Sequence, residues 1–311
     1  MKILFITANR LGDAVLSTGV LSHLVERFPG ARIAVICGPY AASLFAAVPG
    51  LARIIVLRKR PWNIHWLEAW RACVGTRWDL VVDLRNSIVS RMLGASRRAV
   101  RGRNSGQHKV IENAAVLGLQ PPPSPYIWLS EQAEREAASI IPARSNVLAL
   151  GPAANWPCKQ WPAERFGVLA NKLTSAEGPL VGAQILIVAG ENERAGLAPL
   201  LQMVPPERRI ELFGCDLLTV AACLKRARLF VGNDSGLMHL AAAMGVSVLG
   251  LFGPGREDIY GPWGARCATV RTPESREELL QRLPSPDAHH PNLMEGLGVE
   301  KVCEAAIKLL K

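Results

Sequence analysis

The chain has no apolar run approaching the roughly 20 residues needed to cross a bilayer, although 49% of its 311 residues are hydrophobic. That pairing excludes a membrane-spanning helix and equally a disordered chain. It has no C-x-x-C spacing: its seven cysteines (37, 73, 158, 215, 223, 267 and 303) are scattered and odd in number. This argues against a disulfide framework and a zinc site, and predicts reduced, mostly buried thiols. No G-x-G-x-x-G follows the first strand, which weighs against a dinucleotide cofactor. No Asp-x-Asp pair is present to hold a divalent metal on a diphosphate. The opening Met1-Lys2-Ile3-Leu4-Phe5-Ile6 is too short for the core of a signal peptide and reads as a buried strand. A cytoplasmic protein is expected.

Acidic residues are scarce in one half only. Residues 1–130 carry 17 Lys/Arg against 6 Asp/Glu, whereas residues 131–311 carry 19 against 20. Compositional bias would not spare the second half. The first half therefore produces a positive field suited to an anionic partner: nucleic acid, an anionic membrane surface or a phosphorylated acceptor.

What is present is an alternation. Short apolar strands are predicted at 2–7, 32–37, 53–57, 80–84 and 99–102, and helices at 14–28, 40–48, 64–74, 88–93 and 109–117. Gln120-Pro121-Pro122-Pro123-Ser124-Pro125 then breaks the pattern as a linker or extended crossover. A helix at 131–140 restarts it. Strands follow at 146–150, 184–189, 209–212, 228–231 and 246–251, with helices at 163–173, 193–201, 217–225, 237–243 and 299–310. Such alternation indicates two α/β domains, 1–130 and 131–311, each with a parallel sheet covered on both faces. At 311 residues the chain is long enough for two separate cores.

The densest chemistry lies at Val231-Gly232-Asn233-Asp234-Ser235-Gly236-Leu237-Met238-His239-Leu240-Ala241-Ala242-Ala243. A strand enters a Gly/Asp/Ser/Gly turn and leaves as a helix, so unpaired N–H groups at the helix start are available to an anion. His239 stands four residues after Ser235, on the same helical face. Asp and Ser are also ordinary helix caps. The first βα turn, Thr7-Ala8-Asn9-Arg10-Leu11-Gly12-Asp13, likewise opens a helix with a single Gly-Asp. Lys159 lies between Trp156 and Trp161, ahead of Pro162, in the loop after the 146–150 strand.

These segments resemble the heptosyltransferases of glycosyltransferase family 9. The signature Asp-Ser/Thr-Gly-x-x-His-Leu-x-Ala-Ala is matched at every fixed position by Asp234 to Ala243, and Arg-x-Gly-Asp-x-x-x-Ser/Thr by Arg10, Gly12, Asp13 and Ser17. Lys159-Gln160-Trp161-Pro162 resembles the family's Lys-x-Trp-Pro segment, although Ala153, Ala154 and Asn155 stand where relatives often carry hydroxyls. Gly19 stands where relatives commonly have Pro. The resemblance implies a GT-B fold, two Rossmann-like domains with parallel sheets facing an interdomain cleft. It further implies an inverting, metal-independent glycosyltransferase with no cofactor, using ADP-L-glycero-β-D-manno-heptose as donor and the lipopolysaccharide inner core as acceptor. The first domain would bind the acceptor and the second the nucleotide sugar. Asp13 would be the catalytic base. Lys159 would bind the diphosphate, Glu193 the ribose in preference to Glu191, and Asp234 the donor sugar hydroxyls. Ser235, Gly236 and His239 would complete the phosphate cradle.

One carboxylate suffices for such chemistry. A general base deprotonates the attacking hydroxyl, and a diphosphate leaves without needing a proton if cations and N–H donors receive its charge. Arg10, Arg58, Lys59 and Arg60 are acceptor-binding candidates, and the segment from Arg58 to Trp66 mixes cations with tryptophans, which suits a phosphorylated glycolipid at a membrane surface. Peripheral contact with the cytoplasmic face of the inner membrane follows from that reading. Nucleic acid is not expected, since no RNA-binding module is visible. Arg256, after the Gly253-Pro254-Gly255 turn, reads as a solvated arginine, and His289-His290 side by side is a poor metal pattern. Two other readings share these residues: transfer to a protein or another glycan, and a non-catalytic module that binds a nucleotide sugar or an anionic lipid.

Overall fold

The computed structural model describes residues 1–103, 105–283 and 292–311. They fall into two compact units, Met1–Ser130 and Glu131–Lys311.

The first unit is built on five parallel strands: β1 (Lys2–Ile6), β2 (Arg32–Cys37), β3 (Leu51–Val56), β4 (Trp78–Asp83) and β5 (Ala95–Val100), in the order β3-β2-β1-β4-β5. Its helices are α1 (Leu11–Val15), α2 (Thr18–Arg27), α3 (Ile64–Cys73), α4 (Ile88–Met92) and α5 (Lys109–Ala115). Strands β1 and β2 are buried almost throughout, as a central parallel sheet demands. One face of the sheet packs Leu4, Ile6, Ala34, Ile36 and Val81 against Ala69, Cys73, Val89 and Leu93 of α3, α4 and the residue after α4.

A single helix over 14–28 is not what forms. Ser17 donates to the Ala14 carbonyl (2.6 Å) and Thr18 to that of Val15 (2.7 Å), and these side-chain bonds divide α1 from α2. The expected 40–48 helix is two 3-10 turns, Pro39–Ala41 and Ser43–Phe45. Strand β5 begins four residues before its predicted start because it is an edge strand carrying exposed Arg97 and Arg98, which mask the apolar signal. The proline-rich segment does not hang free as a linker. The Tyr126 N–H donates to Thr18 Oγ1 (3.0 Å), and a Cβ on Gly19 would overlap the Ser124 carbonyl oxygen at 2.7 Å. Gly19 is therefore required by close packing of the proline segment on α2.

The second unit opens with α6 (Glu131–Ile140) and carries six parallel strands: β6 (Val147–Gly151), β7 (Gln184–Ala189), β8 (Arg209–Phe213), β9 (Leu229–Asn233), β10 (Ser247–Phe252) and β11 (Cys267–Arg271). Their order is β11-β10-β9-β6-β7-β8. The remaining helices are α7 (Ala163–Thr174), α8 (Ala198–Met203), α9 (Leu217–Leu224), α10 (Gly236–Ala243), α11 (Glu257–Tyr260), α12 (Arg276–Gln281) and α13 (Val299–Leu310). Strand β11 and helices α11 and α12 carry too weak an apolar period to be read from the sequence. The 193–201 helix is instead a 3-10 turn, Glu191–Leu197, followed by α8.

In each sheet the strand order reverses once, between β1 and β4 in the first unit and between β6 and β9 in the second. In such sheets a crevice opens beyond the carboxyl ends of the two strands at the reversal. The turns after β1, β4, β6 and β9 are therefore the candidate positions for a ligand site.

Candidate functional site

In the second unit, the turns after β6 and β9 meet at the reversal. Lys159, in the 3-10 turn Pro157–Lys159, places its ammonium on Asp234 Oδ2. The pair is sheltered, with side chains 25% and 9% exposed. Beneath it, Asn233 is fully buried at the end of β9 and clips the two turns together. Its Oδ1 accepts from the Trp161 N–H (3.0 Å), and its Nδ2 donates to the Pro152 carbonyl (2.7 Å). Trp161 is itself buried, donating from Nε1 to the Leu297 carbonyl (2.8 Å) and standing edge-on to Phe166. Trp156 packs with Cys158, Leu279 and Leu293. The loop is thus anchored to the core on either side of Lys159.

Ser235 is the N-cap of α10, in extended conformation, yet its hydroxyl caps nothing. Its Oγ is buried without a hydrogen-bond partner. A buried hydroxyl and the first N–H groups of an eight-residue helix thus stand beside a lysine ammonium. This is the donor set expected of an anion site. Gly255 lies against the Asp234 carboxylate so closely that a Cβ there would overlap it. His239 is buried one turn further along α10.

The neighbouring turns add less. Glu193 accepts from the Gly190 N–H (2.7 Å) and so caps the start of its own turn, its N–H donating back to the Gly190 carbonyl (3.0 Å). Glu191 is exposed and packs against Gly214, which adopts φ 64° in the turn after β8. Asp216 caps α9 through the N–H of Leu218 (2.9 Å). Arg256 is exposed and paired with Asp258, whereas Ala153 and Ala154 are buried and Asn155 is exposed.

In the first unit, the turns after β1 and β4 meet in the same way. Arg85 donates from Nη1 to Asn9 Oδ1 (2.7 Å) and lays its guanidinium over the Trp66 ring at 4.8 Å. Asp83, fully buried, fixes that turn by accepting from the N–H groups of Arg85 (2.8 Å) and Ser87 (2.7 Å). Burial pulls the Arg85 guanidinium below its usual value, and the charges of Asp83 and Asp13 act against that pull. Asp13, half-buried in α1, is thus within the field of Arg85. Thr7 and Ser17 hydroxyls bond at 2.7 Å and tie the start of α2 to the turn after β1. Arg10 is exposed in the same turn; Arg58, Lys59 and Arg60 are exposed after β3, with Arg60 near Glu68 (3.4 Å).

The model of glycosyltransferase family 9 (heptosyltransferase) matches residues 92–285, more than half of the chain. The chain belongs to glycosyltransferase family 9. It is a glycosyltransferase of the GT-B class, and its relatives agree. The lipopolysaccharide heptosyltransferase 1 of Pseudomonas aeruginosa is 27% identical over 301 residues, spanning 85% of this chain and 82% of the relative. A family 9 glycosyltransferase of Veillonella parvula superposes with a TM-score of 0.79 at 21% identity, covering 99% of this chain and 97% of its own. The Escherichia coli ADP-heptose lipopolysaccharide heptosyltransferase II does so with a TM-score of 0.74 at 22% identity, covering 100% and 98%.

Two residues of this family 9 enzyme escaped the sequence reading. The apolar run of the sequence ends at Val231 and places Asn233 in a turn, whereas β9 runs two residues further and buries it. Arg85 follows a buried strand at the crevice end, a placement that could have singled it out. All seven thiols are free, and burial pushes each above its usual value, Cys37 to about 12 and Cys73, Cys223 and Cys267 to about 11. None is activated as a nucleophile. Among the described residues no three His, Cys, Asp or Glu side chains are grouped to hold a metal, and no helix is long and apolar enough to cross a membrane. His289 and His290 lie outside the described residues.

Proposed function

We propose that the enzyme transfers a heptose from ADP-L-glycero-β-D-manno-heptose to the inner core of lipopolysaccharide, with inversion and without a metal. The observation that carries the reading is the ion pair of Lys159 and Asp234 beside the buried, unpartnered Ser235 hydroxyl at the start of α10. Lys159 and the N–H groups at Ser235 and Gly236 receive the diphosphate charge. Asp234, adjoining them, takes donor sugar hydroxyls. His239 backs the cradle from within α10. With Glu193 committed to its cap, Glu191 is the carboxylate assigned to the ribose. Residues 131–311 are the nucleotide-sugar domain and residues 1–130 the acceptor domain.

Asp13 acts as base. It takes the proton of the acceptor hydroxyl while that oxygen bonds to the anomeric carbon. The bond from that carbon to the β-phosphate oxygen breaks, and ADP leaves with the electron pair. Its charge is met by fixed donors rather than by a proton. Arg10, Arg58, Lys59 and Arg60 hold phosphates of the acceptor, and the enzyme works from the cytoplasmic face of the inner membrane. The names of the relatives, lipopolysaccharide heptosyltransferase 1 and ADP-heptose lipopolysaccharide heptosyltransferase II, support the choice of donor and acceptor.

The test has two arms. In a panel of nucleotide sugars, ADP-sugars should raise the unfolding temperature and UDP- or GDP-sugars should not; protection by the latter alone would overturn the donor assignment. Asp13→Asn should lower kcat by ~10²–10⁴-fold with ADP affinity unchanged. Equal loss of both would make Asp13 a structural cap.

A further inference from the structure

The first unit exposes apolar side chains that its fold does not use. On α3, Ile64 and Leu67 are each 45% exposed and Val74, just past the helix, 44%, with exposed Arg71 between them. Their spacing of three, four and three residues puts all four on one helical stripe. On α4, Ile88 is 63% and Met92 56% exposed. The two helices lie side by side: the Trp70 indole N–H donates to the Met92 carbonyl (3.4 Å), and Trp70 is one turn from both Leu67 and Val74. Trp62, immediately before α3, is 92% exposed in a left-handed backbone conformation (φ 57°) that a bulky residue rarely adopts. Trp66, by contrast, packs inward under Arg85 and belongs to the core.

The rim of this face is of one sign. Residues 58–98 hold nine Lys/Arg and three Asp/Glu. Each of the three acids is engaged: Asp83 is buried in its turn, Asp79 accepts from the Lys2 N–H (2.6 Å), and Glu68 pairs with Arg60 (3.4 Å). Arg58, Lys59, Arg71 and Arg91 are exposed around the apolar stripe.

We propose that α3, α4 and Trp62 form a docking face for the surface of an anionic lipid bilayer, with Trp62, Ile64, Leu67, Ile88 and Met92 entering the interface and Arg71 and Arg91 contacting headgroup phosphates. The proposal rests on the lipid-borne acceptor named above for its purpose, and adds which surface meets the membrane. Apolar side chains flanked by cations are what an interfacial element requires: apolar area for insertion and positive charge for the anionic leaflet. A second copy fits poorly, because a two-fold interface would bring the arginine rim against itself. Nucleic acid fits poorly too, since exposed aliphatic side chains gain nothing from a phosphodiester strand. Helices α3 and α4 both start beyond the carboxyl ends of their strands, the end that carries Asp13 and Arg85. Docking here brings the crevice of this unit to the headgroup layer.

The full-length enzyme is sedimented with vesicles of phosphatidylcholine alone or of 3:1 phosphatidylcholine and phosphatidylglycerol. The expected result is at least tenfold tighter binding to the anionic vesicles, weakened by salt. The pairs Ile64→Ser with Leu67→Ser, and Ile88→Ser with Met92→Ser, should each lower it at least fivefold, with turnover of a water-soluble, acyl-free acceptor unchanged. Equal binding to both vesicles, no binding, or binding that neither pair disturbs would overturn the proposal. So would a concentration-dependent dimer that the serine pairs abolish, which would assign the face to a second copy. Vesicle binding as described, with no ADP-sugar binding or transfer, would instead sink the ADP-heptose reading and leave the docking face standing.

Discussion

Replacing Asn233 by alanine removes both bonds that clip the Lys159 turn to the Asp234 turn. The Trp161 N–H and the Pro152 carbonyl, bonded at 3.0 and 2.7 Å, are left in a buried site with no replacement. A buried polar group stripped of its partner costs about 1–3 kcal/mol. Partial relaxation puts the expected loss for two at about 2–4 kcal/mol, read as a lower urea midpoint with little change in slope. The second effect is on ligand binding. Lys159 stands two residues before Trp161, so loosening this loop moves the ammonium off Asp234, and ADP affinity by calorimetry should fall about tenfold, equivalent to about 1.4 kcal/mol. Trp161→Phe is the control. It loses the indole bond to the Leu297 carbonyl (2.8 Å) and leaves the backbone clip intact. It should cost about 1 kcal/mol and leave ADP binding alone. An Asn233→Ala protein that is destabilised but binds ADP within a factor of two would refute a positioning role. One with unchanged stability would refute the hydrogen bonding itself.

Lys159→Ala should weaken ADP binding by ~10–100-fold, the worth of a charge-assisted bond to phosphate; an unaltered dissociation constant would remove Lys159 from the site. Arg85→Lys keeps the charge but loses the planar contact over Trp66 and the bond geometry to Asn9, so kcat should fall about tenfold while ADP affinity stays the same, and unchanged kcat would leave Arg85 a structural residue only. The pH dependence of stability should carry a mark of Glu112. Burial raises this carboxyl, but the Lys109 ammonium (3.0 Å), the Ser105 N–H (2.9 Å) and Arg101 (2.7 Å) together hold it below its usual value. A carboxyl depressed in the folded state contributes stability that is present above its unfolded pKa, about 4.3, and is lost as pH falls through the folded value. Urea midpoints measured from pH 6 to pH 3 should therefore decline more steeply in the parent than in Glu112→Gln, and coincident slopes would contradict the assignment.

Much of the fold was legible because its signal is local. Buried parallel strands such as Arg32–Cys37 and Gln184–Ala189 are short apolar runs, and α6 and α13 have a clear helical period; all four have the predicted bounds. Where a non-local term decides, the reading slipped. The 14–28 helix is broken by two hydroxyls bonding back to the chain, and the edge strands β5 and β11 owe their conformation to the neighbour they pair with. Glu193 shows the same limit at the level of a site: an acid near a crevice and an acid closing a cap have the same sequence signature, and only the bond to the Gly190 N–H separates them.

By itself the sequence determined the class of the protein, two α/β units of parallel strands, and the family, because the Asp234–Ala243 signature is contiguous and is read without knowing any contact. It also determined which turns carry Asp13, Lys159 and Asp234. The order of the strands was decided only by tertiary structure. That order sets Lys159 on Asp234 across 75 residues and Arg85 on Asn9 across 76. The physical reason is that side-chain periodicity records which face of an element is buried, whereas the neighbour it is buried against is chosen by the packing of the whole sheet.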